Sequence, residues 1–209
     1  MPRPATQPAT RPATRPATEP ATRPATEPAT RPATITTERL LLRAWRDGDR
    51  TPWAELCADP EVMRHFPLMP TREQSDAMVD RIDTHFAAHG YGLWAVERRS
   101  ERDFIGFVGC HQLTYDAHFT PAVEVGWRLA RHAWGRGYAP EAARAAIDHV
   151  FAITELDSIV SVTVPANTPS RRVMEKLGMT RDADGDFLHP KVEDGHPLQP
   201  HVLYRLRRG

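Results

Sequence analysis

The sequence predicts one α/β domain over residues 35–209, a mixed sheet with helices on both faces, behind a disordered tail over residues 1–34. Three observations carry the prediction. Between Tyr91 and Leu129 the apolar residues alternate with a period of two, as in half-buried strands. Upstream, Met78, Ile82 and Phe86 recur every four residues, as on the buried face of a helix. Downstream, a strand, a glycine turn, a helix and a β-branched strand follow one another from Ala122 to Val164. That is the order of a β-α-β crossover, whose two strands run parallel.

Residues 4–34 hold eight successive Pro-Ala-Thr units, separated by Arg, Glu or Gln. A Pro at every fourth position forbids a helix, and the absence of large apolar residues leaves nothing to offset chain entropy. The tract reads as an extended, polyproline-II-leaning tail, a repeat expansion rather than a working spacer. It has no apolar core of a secretion signal, and Glu19 and Glu27 do not suit a transit peptide. Over the whole chain, 27 Lys and Arg balance 27 Asp and Glu, which argues against a broad nucleic-acid surface. No apolar run approaches the roughly 18 residues of a membrane span. Cys57 and Cys110 lack metal-ligand or redox spacing and read as free buried thiols in a reducing cytoplasm. The expectation is therefore a cytoplasmic protein, monomer or homodimer, with no metal and neither nucleic acid nor membrane as partner.

The elements follow in order. Ile35–Trp45 reads as the first strand, closed by the turn Asp47-Gly48-Asp49. Thr51-Pro52 caps and opens a helix that ends near Pro60, and a short helical turn covers Glu61–His65. Thr71 to Gln74 is a capping box opening a longer helix, which stops at Gly90. Tyr91–Glu97 and Phe104–Leu113 form an antiparallel hairpin across a charged turn. Ala122–Leu129 is the strand before the glycine turn, Pro140–Ala152 the helix after it, and Ser158–Val164 the buried strand that completes the crossover. Thr168-Pro169 opens another helix, ending at Gly178. Met179–Phe187 and Val202–Arg207 are the last strands, joined by a loop from Leu188 to Gln199.

The glycine turn is the first functional signal. Gly135 and Gly137 lack a Cβ, so a ligand can approach the backbone there. The N–H groups of Arg136, Gly137, Tyr138 and Ala139 precede a helix opening on Pro140 and add to its dipole. Such a turn suits a phosphate or pyrophosphate, although an ordinary glycine turn before a helix has the same residues. It lacks the Gly-Lys-Ser/Thr ending of a nucleotide-binding loop.

Taken together, Thr37-Glu-Arg-Leu-Leu-Leu-Arg-Ala44, Glu124-Val-Gly-Trp-Arg-Leu129, Trp134-Gly-Arg-Gly-Tyr-Ala-Pro-Glu-Ala142 and Asn167-Thr-Pro-Ser-Arg-Arg-Val-Met-Glu-Lys-Leu-Gly178 resemble the GCN5-related N-acetyltransferases. The similarity is narrower to the RimJ/RimL-like branch, which acetylates ribosomal-protein N-termini, and it covers nearly all of residues 36–207. It implies the GNAT-type mixed, mostly antiparallel central sheet, and acetyl-CoA as co-substrate with no metal. The pyrophosphate would sit on the N–H groups of Arg136 to Ala139, beside Gly135 and Gly137. The strand at 122–130 would splay from that at 158–164, the pantetheine arm would pair near Leu129, and Asn167 and Ser170 would form the second wall. Trp134 stands where the family consensus has Gln or Arg, a substitution usual in this branch.

Arg171 and Arg172 would meet the cofactor's phosphates, Arg171 being the expected cofactor-binding residue; a solvated helix face is the other reading of either one. The resemblance also implies roles in transfer to a primary amine, on a small molecule or a peptide. Glu124, between Val123 and Val125, would be the base; the same residue on the polar side of the strand would simply face solvent. The N–H near Leu129 would stabilise the oxyanion. Met174 stands where many relatives carry a proton-donating Tyr, which leaves Ser170 to serve the leaving thiol or merely to bond its own backbone. The missing Tyr also keeps open a non-catalytic acyl-CoA-binding domain. The loops at 60–70, 114–121 and 188–199 are the expected acceptor side.

Overall fold

A computed structural model describes residues 32–209. The tail expected over residues 1–34 lies outside the described residues, apart from its last three. Eight strands form one sheet in the order β1-β2-β3-β4-β5-β6-β8-β7. They are β1 (Ile35–Thr36), β2 (Leu40–Arg43), β3 (Leu93–Arg98), β4 (Phe104–Gln112), β5 (Val123–Leu129), β6 (Ser158–Thr163), β7 (Thr180–Leu188) and β8 (Pro200–Arg207). Every neighbouring pair is antiparallel except β5 and β6. The helices are α1 (Arg50–Ala58), α2 (Pro60–Met63), α3 (Arg72–His89), α4 (Tyr138–Ile153) and α5 (Thr168–Lys176). The sheet is thus mixed and mostly antiparallel with helices on both faces. Trp53 of α1 packs edge-on against Phe107 of β4, and α4 buries Ala142, Ala143, Ala146, Ile147 and Val150.

Several boundaries differ from the sequence expectation, for local reasons. The strand expected over Ile35–Trp45 is two, because Thr37 closes a tight turn. Its N–H donates to the Leu40 carbonyl at 2.9 Å, and its Oγ1 accepts the Leu40 N–H at 3.0 Å. Helix α1 starts at Arg50, α4 at Tyr138, and α5 is capped by Asn167. In each case Pro marked the first turn and not the first residue, since the first N–H groups of a helix have no internal acceptor and Pro is tolerated throughout that turn. The α3 capping box forms as expected, Gly90 ends the helix at φ 75°, and Val79 joins Ile82 and Phe86 on the buried face while Met78 is half-buried.

One buried polar cluster ties the first strands together. Arg43 donates through Nη1 and Nη2 to Asp49 at 2.7 and 2.9 Å, and through Nε to Glu97 at 2.7 Å. All three residues are buried. Both cysteines are free and buried. Among the described residues no helix is long and apolar enough to cross a membrane, and no group of His, Cys, Asp and Glu is placed to hold a metal ion.

Candidate active site

The site begins where two strands part. β5 and β6 share one register pair, Glu124↔Val160, and then diverge. On its other side β5 is fully engaged by β4, from Gly106↔Leu129 to Gln112↔Val123. The Ala130 N–H reaches the Ile105 carbonyl, and the Ala122 carbonyl accepts from Leu113, so the even-numbered residues bond β4. Backbone direction alternates along a strand, so the N–H groups of Trp127 and Leu129 turn into the gap. The Leu129 carbonyl does too, and there it accepts the Trp134 indole N–H at 2.7 Å. A cavity of about 460 Å³ opens at this divergence. Trp127 and Leu129 form one wall, Asn167 and Ser170 the other, and the glycine turn lies at one end.

Gly135 and Gly137 have φ of 72° and 80°, a region costly for any residue with a Cβ. The first helical bond runs from the Glu141 N–H to the Gly137 carbonyl at 3.2 Å. The N–H groups of Tyr138 and Ala139 therefore have no acceptor within the helix. The turn is pinned from β2's flank. Arg39 donates through Nη1 to the Arg136 carbonyl at 2.8 Å and through Nε to Glu141 at 2.7 Å, with its guanidinium 4.8 Å over the Tyr138 ring. The Thr37 hydroxyl donates to the same carboxylate at 2.6 Å. Burial opposes the Glu141 charge, but these bonds outweigh it and hold its pKa below the usual value. A carboxylate at the mouth of an anion cradle is thereby neutralised by Arg39.

Glu124 stands where the strands separate. Its Oε1 accepts the Val162 N–H at 3.2 Å, taking the place of a carbonyl that the departing strand no longer supplies. Its side chain is 14% exposed, and desolvation raises its pKa to about 7, opposed by the Val162 bond. The solvent-facing alternative is therefore excluded. His111 Nε2 lies 3.5 Å from Oε2. Burial, with the charges of His85 and Lys191, pushes His111 down to about 4 and keeps it neutral at pH 7. Among the described residues the Tyr115 hydroxyl and His111 Nδ1 are buried without partners, and the Tyr115 pKa is raised by burial and by Glu124.

On the second wall the Asn167 side chain caps α5, its Oδ1 accepting the Ser170 N–H at 3.3 Å and its Nδ2 donating to Thr163 at 3.0 Å. The Ser170 side chain faces the cavity. Arg171 does not. It turns away, donating to the Tyr204 hydroxyl at 3.3 Å and the Pro165 carbonyl at 3.2 Å. Arg172 lines the cavity instead, with Pro169 and Lys176 of the same helix face. The expectation that named Arg171 is corrected by the 100° step between successive helical residues. Arg136 lies on the turn outside the cavity wall, its Nε bonded to the His132 carbonyl. Met174 is buried in the core.

Of the three expected acceptor loops, one lines the cavity, through Glu61 to Phe66. The other two pack on each other, Tyr115 against His189 at 4.6 Å and Lys191 bonded to Thr114 at 2.8 Å. Sequence reasoning missed the clamp made by Thr37, Arg39 and Glu141, which no local spacing signals. It also missed His111 and Tyr115 as neighbours of Glu124. The β4–β5 register could have signalled His111, because it sets His111 opposite Glu124.

The family model of the acetyltransferase (GNAT) domain matches residues 39–180. The uncharacterized N-acetyltransferase YnaD of Bacillus subtilis is 33% identical over 149 residues, 71% of this chain and 83% of that protein. A GNAT-family acetyltransferase structure from Bacillus anthracis superposes with a TM-score of 0.68 at 28% identity, covering 84% of this chain and 98% of that one. The RimJ structure from Mycobacterium smegmatis, a complex with CoA-disulfide, shares the fold at a TM-score of 0.67 and 21% identity, covering 84% and 88%. With a matching family model, a sheet that parts at Glu124 and a glycine cradle at the head of α4, the chain belongs to the GNAT acetyltransferases and is itself an acetyltransferase.

Proposed function

We propose that the protein transfers acetyl from acetyl-CoA to a primary amine, on a protein N-terminus or a small molecule, by direct attack. The observation that carries this reading is the divergence of β5 from β6 beside a half-enclosed carboxylate. The residues present fit CoA. The Tyr138 and Ala139 N–H groups with Gly135 and Gly137 would hold the pyrophosphate, with the peptide of Arg136 between them. The open edge of β5 near Leu129 would pair with the pantetheine arm, and Asn167 and Ser170 would close the other side. Arg172 replaces Arg171 as the cation of that wall.

Acetyl-CoA supplies the thioester; the other roles fall to the chain. Glu124 accepts a proton from the ammonium, directly or through a water, and frees the lone pair that attacks. The Leu129 N–H donates toward the thioester oxygen as it gains charge. The Ser170 hydroxyl donates toward the sulfur as the C–S bond breaks.

Release of free thiol from acetyl-CoA, measured across amines and peptides, tests the reading. Turnover on at least one amine is expected, and tight CoA binding with no turnover on any would favour a binding domain. Glu124 accepts a proton only when ionised. With its pKa raised to about 7, kcat/KM is expected to fall about tenfold per pH unit below 7 and to level off above it. A profile flat from pH 5 to 8 removes Glu124 as the base.

The cradle makes a separate prediction. A Cβ on Gly137 meets Arg39 Nη2 at 3.4 Å, in a left-handed backbone conformation that costs about 1 kcal/mol or more for other residues. Gly137→Ala is expected to weaken CoA binding by about fivefold or more in calorimetry, as the turn relaxes out of the binding shape.

A further inference from the structure

Arg128 is a cation of the cavity wall that acetyl transfer does not use. Arg128 lies on β5 four residues after Glu124, and the unbroken β4–β5 register sends both side chains to the same face. Between them is Gly126, where an added Cβ would meet nothing within 4 Å. The strand thus sets a carboxylate, an uncrowded glycine and a guanidinium on one face over about 13 Å, and of the three Arg128 lines the cavity.

The surroundings of that guanidinium are unusual. It sits 4.0 Å from the ring centre of Phe66, 5.3 Å from Trp53 and 5.8 Å from Phe107. Nη1 donates to the Cys57 sulfur at 3.5 Å, a weak acceptor, while Nε is sealed from water with no partner among the described residues. Glu61, the carboxylate on the cavity wall, pairs with Arg64 at 3.5 Å instead. The contrast with Arg43 is instructive, since that enclosed arginine has two carboxylates. The rings around Arg128 attract its charge, but they offer no acceptor to N–H groups in the guanidinium plane. Burial lowers the pKa of Arg128, yet a guanidinium does not lose its proton in a protein, so the charge stays. A buried charge without a partner is costly, and a ligand that supplies an oxyanion removes the cost.

We propose that Arg128 receives a carboxylate or similar oxyanion from a ligand in the cleft, making the enzyme selective for a molecule that carries an anionic group beyond the reacting centre. Two sources share this chemistry, an acceptor amine with its own carboxylate and an acyl group ending in one. The inference rests on the acetyl-transfer reading above and deepens it.

The test uses the purified full chain and its Arg128→Met and Arg128→Lys variants. Methionine keeps an apolar stem among the rings; lysine keeps the charge without the fork. In the first arm, thiol release from acetyl-CoA is compared for glycine, γ-aminobutyrate and diglycine against their amides. The acid of at least one pair is expected to exceed its amide about tenfold in kcat/KM, as a charge-assisted bond confers, and Arg128→Met to bring that ratio close to one, chiefly through KM. In the second arm, succinyl-CoA replaces acetyl-CoA with a neutral amine. An Arg128-dependent preference there assigns the anion to the acyl group. In the third, CoA-loaded protein is melted with succinate or succinamide, and only succinate is expected to stabilise, only when Arg128 is present. This arm does not depend on turnover, so a failure of acetyl transfer leaves it decisive. No preference in either kinetic arm and equal melting with succinate and succinamide overturn the proposal.

Discussion

Glu124→Gln is expected to lower kcat by about a hundredfold or more, with CoA affinity and the fold intact. The substitution is well suited to this site because Glu124 has one observed role, as an acceptor, and one proposed role, as the base. Its Oε1 accepts the Val162 N–H that the parting strands leave without a backbone partner. A glutamine oxygen does the same, so the gap keeps its shape. Only the capacity to take a proton is removed. Glu124→Ala would confound the two, stranding a buried N–H as well as deleting the base. Stability separates them further. The pKa of Glu124 is raised on folding, so ionisation opposes the folded state. Its stabilising effect is complete below the unfolded value near 4.5 and is lost as pH rises through about 7. Glu124→Gln carries no such charge and is expected to melt no lower than the parent at pH 8, and to gain on it between pH 5 and 8. A Gln variant with parent-like turnover would remove Glu124 from the mechanism. One that melts well below the parent would show that the carboxylate, and not merely its oxygen, holds the strands.

Much of this site was legible because it is local in sequence. Gly135 and Gly137 announce a turn that the backbone needs at positive φ, and the β-α-β order places that turn beside the strand bearing Glu124. Element types followed from periodicity, while helix starts slipped by one or two residues because Pro fits anywhere in a first turn. What was not legible is long-range. Nothing near Arg39 indicates that it reaches 97 residues along the chain to the Arg136 carbonyl. The choice between Arg171 and Arg172 needed the helix phase, which the cap at Asn167 sets. Arg128 carries no signal of its own within the strand Ala122–Leu129. Its lack of a paired carboxylate among the described residues is a property of the packed face, made by Trp53, Phe66 and Phe107 from three other segments.

The largest loss of stability is expected at Arg43, on the order of 3–5 kcal/mol for Arg43→Ala by urea denaturation. Burial opposes the Arg43 charge, and the bonds to Asp49 and Glu97 more than offset it, raising the guanidinium pKa. The substitution deletes a cation that satisfies two buried carboxylates, with Arg46 at 3.1 Å from Glu97 as the remaining and much more exposed neighbour. The penalty is therefore mostly that of the orphaned acids. Arg43→Met separates that penalty from lost packing, since it restores most of the volume but none of the charge. If the orphaned acids dominate, Met recovers little of the loss at neutral pH. The lesion should also reach the cleft. Arg43 ends β2, and the residue just before that strand is Arg39, which pins the glycine turn through Arg136 and Glu141. CoA binds the folded state, so saturating CoA should return part of the lost stability as mass action requires. A smaller return in Arg43→Ala than in the parent is the expected sign that loosening β2 has loosened the cradle as well.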